Sequence, residues 1–211
     1  MIAIAPPTSN REPHGVFTVR DLVKVKLYQS MKCDRNGQAK ILTDSEIEAI
    51  FSLFSERDRA VFAICLYGAC RISEALSVRV DDIAGGVITL RKNSTKGKKG
   101  SRSLPISPNL EKILNDYLAI ASPGEFLFPG RFGTKPLTTA YADLTLRQAC
   151  LRLGFKGIST HSFRRTALTR MHAAGVPLRT IQRISGHSSL AALSVYLEVT
   201  DQNVRDAVMF I

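Results

Sequence analysis

ISGHSSLAALSVYLEV, residues 184–199, places a Gly-His pair nine positions ahead of a tyrosine, Tyr196. Two stretches upstream give it meaning: HSFRRTALTRM at 161–171 and GACRISEAL at 68–76. In chain order they supply Arg71, His161, Arg164, His187 and Tyr196. Breaking a phosphodiester without a metal needs a nucleophile, cations for the charge that grows on the non-bridging oxygens, and an acid for the leaving oxygen. Arginine suits the second task, because its planar fork holds phosphate oxygens in pairs and stays charged. Taken singly, each residue also has a plain structural reading. Tyr196 between Val195 and Leu197 reads as core, and His161 as a histidine near a helix N-terminus. Their order and spacing as a set carry the chemical reading.

Periodicity predicts helices around these residues. Thr43 with Glu46 forms a capping-box pattern and opens a helix through about residue 54. An apolar run at 59–69 reads as a buried helix, and a short helix carries Arg71, Ser73 and Glu74. VITL (87–90) and SLPI (103–106) read as strands, joined by the basic, glycine-punctuated RKNSTKGKKGSR (91–102) as a hairpin tip. Further helices are expected over 108–121, 139–153, 161–174, 178–184, 190–197 and 201–208, and a loop with aromatic anchors over 126–136. The fold class is α+β, mainly helical, with a small antiparallel sheet at the basic hairpin. On a helix His161 and Arg164 share a face, as do Arg71 and Glu74. Arg165 lies about 100° around from Arg164 and is expected at the surface or on a DNA backbone.

The ordered set Arg, His-x-x-Arg, Gly-His, Tyr resembles the signature of the tyrosine recombinase (phage integrase) family over about residues 42–199. RISEAL, LPIS after the basic hairpin, and GHSS leading to VYLEV agree with it. The resemblance implies a catalytic domain in which Tyr196 attacks the scissile phosphate and leaves a 3′-phosphotyrosine. Arg71 and Arg164 would clamp the phosphate. His161 would assist proton transfer, His187 would hydrogen-bond the phosphate, and Glu74 would support them from behind. A hairpin lysine would be the general acid. Loop chemistry does not choose among Lys92, Lys96, Lys98 and Lys99; the Lys-Gly setting and the distance to LPIS favour Lys96, with the other three on DNA. The phosphotyrosine conserves bond energy, so the family's chemistry implies no metal and no other cofactor. The implied partners are double-stranded DNA, a homotetramer on paired sites and accessory DNA-bending proteins. Competing readings are type IB topoisomerase-like relaxation and a non-catalytic DNA-binding regulator on the same fold.

The bulk composition agrees. Lys and Arg number 29 against 18 Asp and Glu, a net charge of +11 that favours a polyanionic partner. Cys33, Cys65, Cys70 and Cys150 form no C-x-x-C pair, which reads as a reducing, cytoplasmic compartment. No apolar run is long enough to span a membrane. Residues 1–40 are expected to be a flexible lead with a short basic helix at 19–31, and residues 41–211 the catalytic domain, with a tail helix from about 200. Most family members carry a core-binding domain ahead of the catalytic part. The forty leading residues suggest a chain that has been cut, or a short member like the small fimbrial DNA invertases.

Overall fold

The computed structural model describes residues 38–91, 100–121, 124–197 and 201–209. The lead over 1–37, with its expected helix, lies outside the described residues, as does the hairpin tip with Lys92, Lys96, Lys98 and Lys99.

Helix α1 (Asp44–Ser52) starts where the sequence pattern placed it. Thr43 Oγ1 accepts from the Glu46 backbone N–H, and the Glu46 side chain accepts from the Thr43 N–H. Helix α2 (Glu56–Tyr67) begins earlier than the apolar run, because Ser55 caps it through the Asp58 N–H. It buries Ala60 through Leu66 on all sides, which makes it the central rod of the domain. Around α2 pack α3 (Ile72–Leu76), α4 (Pro108–Leu118) and α6 (Thr160–Ala173). Phe62 stacks on Phe54 at 5.0 Å between centroids and meets Phe163 of α6 at 4.9 Å. Truncating such a fully buried ring costs about 3–5 kcal/mol.

The sheet has the order β1-β2-β3, all antiparallel: β1 (Ile83–Ala84), β2 (Val87–Leu90) and β3 (Arg102–Pro105). β1 was not expected, since two residues give no alternation to read. Its turn, Gly85-Gly86 with φ of +57° and +73°, is the left-handed pair that a two-residue hairpin requires. β2 and β3 agree with the sequence reading within a residue. Leu90 pairs with Arg102, and the period of two puts Arg102 on the inward face with Leu104.

Helix α5 (Thr139–Leu153) matches its expected bounds. Helix α6 joins two cores. Phe163 enters the main one, while Ala167 and Leu168 enter a second, smaller cluster with Ala69, Ile181 and Leu193. Helices α7 (Leu178–Ser185) and α8 (Leu190–Ser194) close that cluster. The expected helix over 190–197 stops early. Tyr196 N–H and Leu197 N–H bond back to Leu193 and Ser194, three residues behind, so the ladder tightens and ends before the tyrosine. Helix α9 (Asp201–Val208) follows.

Candidate active site

Glu74 is the fixed point of the site. It is 3% exposed, and its Oε2 accepts the backbone N–H of Arg71, at the start of α3, at 2.7 Å. A buried carboxylate is costly unless paired. Arg102 pairs it: Nη1 donates to Oε1 at 2.8 Å and Nη2 to Oε2 at 3.0 Å, a two-pronged grip. Arg71 Nη1 stands 3.9 Å from Oε1 and Arg164 Nη1 3.8 Å from Oε2. Burial by itself would raise the Glu74 carboxyl. The Arg102 hydrogen bonds and charge, with the Arg71 N–H and Arg164, outweigh it and hold the group below its ordinary value. Three arginines on one carboxylate leave two positive charges uncompensated.

Arg164 is 1% exposed. Its Nη1 donates to the Ala69 carbonyl at 2.8 Å, and its Nη2 meets His187 Nε2 at 3.0 Å. Ala69 has φ +46°, a left-handed conformation strained for a residue with a Cβ. Burial, then the charge of Arg71, lowers Arg164 to about 10 against the pull of Glu74, so it remains a cation at neutral pH. The same Nη2 stands 3.5 Å from His187 Nδ1, so the guanidinium lies over the imidazole, and Nδ1 is 2.7 Å from Ser185 Oγ, a hydroxyl that can serve either tautomer. Burial, with Arg164, Arg71 and Arg102, pushes His187 down to about 4 despite Glu74, which leaves it neutral at pH 7.

The tyrosine stands beside this pair. Its ring centroid is 5.1 Å from that of His187, at 41° between planes. One face packs on the second core cluster, and its carbonyl accepts from Thr169 Oγ1 at 3.3 Å. His161 occupies the first turn of α6 with an exposed side chain. Protein packed against its ring, then the charges of Arg164 and Arg71, lower its pKa. Arg71 is the more open arginine, its side chain 40% exposed against 2% for Arg164. The arrangement can hold an anion between one fixed and one accessible guanidinium, beside a phenol.

The structure thus brings Arg71, Glu74, Arg164, His187 and Tyr196 together, with His161 electrostatically coupled to the same arginines. It corrects Arg165. That residue is 3% exposed, not at the surface, and its Nη1 donates to the Ala39 carbonyl. The 100° offset is real, but that face of α6 meets residues 39–44 instead of solvent. Thr166 Oγ1 accepts the Leu42 N–H at 2.8 Å on the same side. Three residues of the site escaped the sequence reading. Ser185 and Thr169 carried no signal, being small hydroxyl residues on helices. Arg102 carried one: it alternates with Leu104 and so had to face inward. Among the described residues no group of three His, Cys, Asp or Glu side chains could share a metal ion.

Residues 40–203 match the family model described as the phage integrase family. A tyrosine recombinase of Pseudothermotoga lettingae is 31% identical over 202 residues, covering 91% of this chain and 69% of that protein. Tyrosine recombinase XerD of Corynebacterium glutamicum is 32% identical over 158 residues, covering 71% of this chain and 51% of that protein. The chain thus spans about half to two thirds of these relatives. Among solved structures, a Tn1549 transposon integrase in complex with a circular intermediate DNA superposes with a TM-score of 0.71 at 18% identity, over 83% of this chain and 67% of that one. That likeness carries the fold.

Proposed function

The chain belongs to the phage integrase family, the tyrosine recombinases, and from that premise we propose that it recombines DNA at specific sites by breaking and rejoining strands through Tyr196. The observation that carries the reading is the cluster behind the tyrosine. A buried Arg164 and an accessible Arg71 share one carboxylate, and His187 lies in ring contact with Tyr196. A phosphodiester brings one negative charge and its pentacovalent transition state two. The two uncompensated charges of the cluster match the second better than the first, which is how fixed cations accelerate a reaction.

In this mechanism Tyr196 Oη attacks phosphorus, the 5′-oxygen leaves as a hydroxyl with a proton from Lys96, and a 3′-phosphotyrosine remains. Arg71 and Arg164 hold the non-bridging oxygens. His161 takes part in moving the tyrosine proton, and its lowered pKa keeps it in the base form near neutrality. Glu74 orients the arginines. Attack by a 5′-hydroxyl from another strand reverses the steps and rejoins the DNA. Double-stranded DNA is the substrate, residues 41–211 form the catalytic part, and a homotetramer on paired sites is the working assembly, with accessory DNA-bending proteins as further partners and Lys92, Lys98 and Lys99 on the DNA backbone. A DNA substrate and the scattered cysteines support a cytoplasmic setting; no helix among the described residues is long and apolar enough to cross a membrane.

The test uses nicked duplexes drawn from DNA flanking the chain's own gene. The nick lets the 5′ fragment leave and traps the adduct. We expect a denaturation-resistant protein–DNA band with the unaltered chain and none with Tyr196→Phe. DNA retained in a native gel without an adduct would favour a regulator built on this fold.

A further inference from the structure

Away from the tyrosine, the loop at 130–138 encloses a cleft of about 430 Å³ against the starts of α2 and α5. Leu127 and Phe128 root this loop in the main core, and residues 131–135 stand out from it, exposed. Its two arms are tied together. Pro129 bridges to Pro136, the Gly130 N–H bonds to the Lys135 carbonyl at 2.8 Å, and the Gly133 N–H to the Gly130 carbonyl at 3.0 Å. A Cβ on Gly130 would meet the carbonyl oxygens of Lys135 and Pro136 at 3.1 and 3.2 Å, so glycine lets the arms close.

The charges of the cleft are not balanced. Arg57, at the start of α2, is held in place: its Nη2 donates to Tyr141 Oη at 2.7 Å, and its guanidinium lies 5.1 Å from that ring's centroid. Its Nε is buried without a hydrogen-bond partner, 3.8 Å from the buried carboxylate of Asp58, which offsets its charge. Arg131 and Lys135 have no such partner. Both line the cleft, no Asp or Glu lines it with them, and neither forms an ion pair among the described residues. The first turn of α5, which borders the cleft at Thr138 and Tyr141, carries no acidic residue either. Phe132 stands between the two cations, 83% exposed, with the Arg131 guanidinium 5.6 Å from its centroid. Unpaired cations beside an open aromatic ring suit a nucleotide strand, whose phosphates meet the cations while its sugars and bases meet the ring.

We propose that this cleft is a second contact to the DNA backbone, in which Arg131 and Lys135 hold a phosphate of the bound duplex remote from the scissile one and Phe132 packs on the adjoining sugar. This rests on the recombinase reading, which supplies the duplex. Arg57 lies at one end of α2 and Arg71 follows the other, so the 12 residues of that helix, about 18 Å, set the two anion clefts apart. On one DNA strand that length spans roughly five phosphates, at about 3.4 Å of axis each. Such a contact fixes the register of the duplex and touches no reacting atom. It acts on affinity and leaves the chemical step alone.

The test compares the full chain with the exposed double variant Arg131→Gln/Lys135→Gln on duplexes from DNA flanking its gene. The slope of log association constant against log salt should become shallower by about one in the double variant. The rate of adduct formation at saturating DNA should stay the same. Phe132→Ala should weaken binding several-fold and keep the slope, since an apolar contact releases no counterion. Duplexes with one neutral methylphosphonate at a time locate the contact. We expect a position several base pairs from the scissile phosphate where neutralisation weakens the unaltered chain about tenfold and the double variant not at all. An unchanged slope, or no position that separates the two chains, overturns the cleft and leaves the recombinase reading intact. Slower adduct formation at saturating DNA overturns its restriction to binding. A chain that binds duplex and forms no adduct fails the recombinase reading, while the slope and the phosphate scan still decide the cleft, because they read binding alone.

Discussion

At the residue scale, the site is organised by a buried carboxylate more than by the nucleophile. Glu74 gathers Arg71, Arg102 and Arg164, and Arg102 alone grips both oxygens. Arg102→Lys keeps the charge but removes the fork. We expect it to lower stability by ~1–3 kcal/mol in urea denaturation and to slow adduct formation at least as much as DNA binding weakens. Wild-type stability and rate together would contradict the role given to Arg102. Protonation gives a second test. His187 is held near 4, below its ordinary 6.5, so the unfolded chain takes up its proton first as pH falls. Stability should therefore drop between pH 6.5 and 4, by on the order of 3 kcal/mol at most from this group. Glu74, lowered in the fold, adds a loss only further down, as pH passes below the usual carboxylate range. Urea midpoints against pH should lose the upper part of this slope in His187→Gln. An unchanged slope would assign it elsewhere.

At the scale of elements, α6 works on two faces. One face sends Arg164 into the site, and the adjoining one fastens residues 39–44 through Arg165 and Thr166. The turn between α7 and α8 is as constrained. Gly186 has φ +69°, and a Cβ there would meet Arg102 Nη1 at 2.8 Å. The guanidinium cannot yield easily, because Nε also donates to the Ile184 carbonyl at 2.9 Å. Gly186→Ala should thus cost ~1–2 kcal/mol for the backbone alone, and more through a displaced Arg102. A melting temperature within a degree of the unaltered chain's would refute that account. The sequence showed these helices through caps and periodicity. It placed the end of α8 wrongly, because nothing local distinguishes a tightened last turn from a continuing one.

At the scale of the whole molecule, the chain carries a net charge of +11, and α9 has an exposed flank. Val204, Val208 and Met209 are 52%, 62% and 87% exposed, so this side of the helix is not spent on its own domain. That supports docking of the tail on a neighbouring copy. A chain ending at Thr200 should keep its monomer melting temperature and lose higher-order assembly on DNA in analytical ultracentrifugation. Assembly equal to that of the full chain would sink the docking role. DNA affinity should also fall steeply with salt, as for any binding that releases counterions from phosphates.

The sequence by itself determined the family and the helical α+β class, and it singled out five residues of the candidate site, because each rests on local order: a cap, a period, a fixed spacing between Gly-His and Tyr196. The tertiary structure alone decided which partners those residues have. Arg164 and Arg165 are neighbours in sequence, yet one meets Glu74 and His187 and the other the Ala39 carbonyl. Arg102 and Ser185 became part of the site only when β3 and α7 were brought against α3 and α6. Long-range pairing of charges and hydroxyls leaves no periodic trace in the chain, since each contact is fixed by packing between elements far apart in sequence.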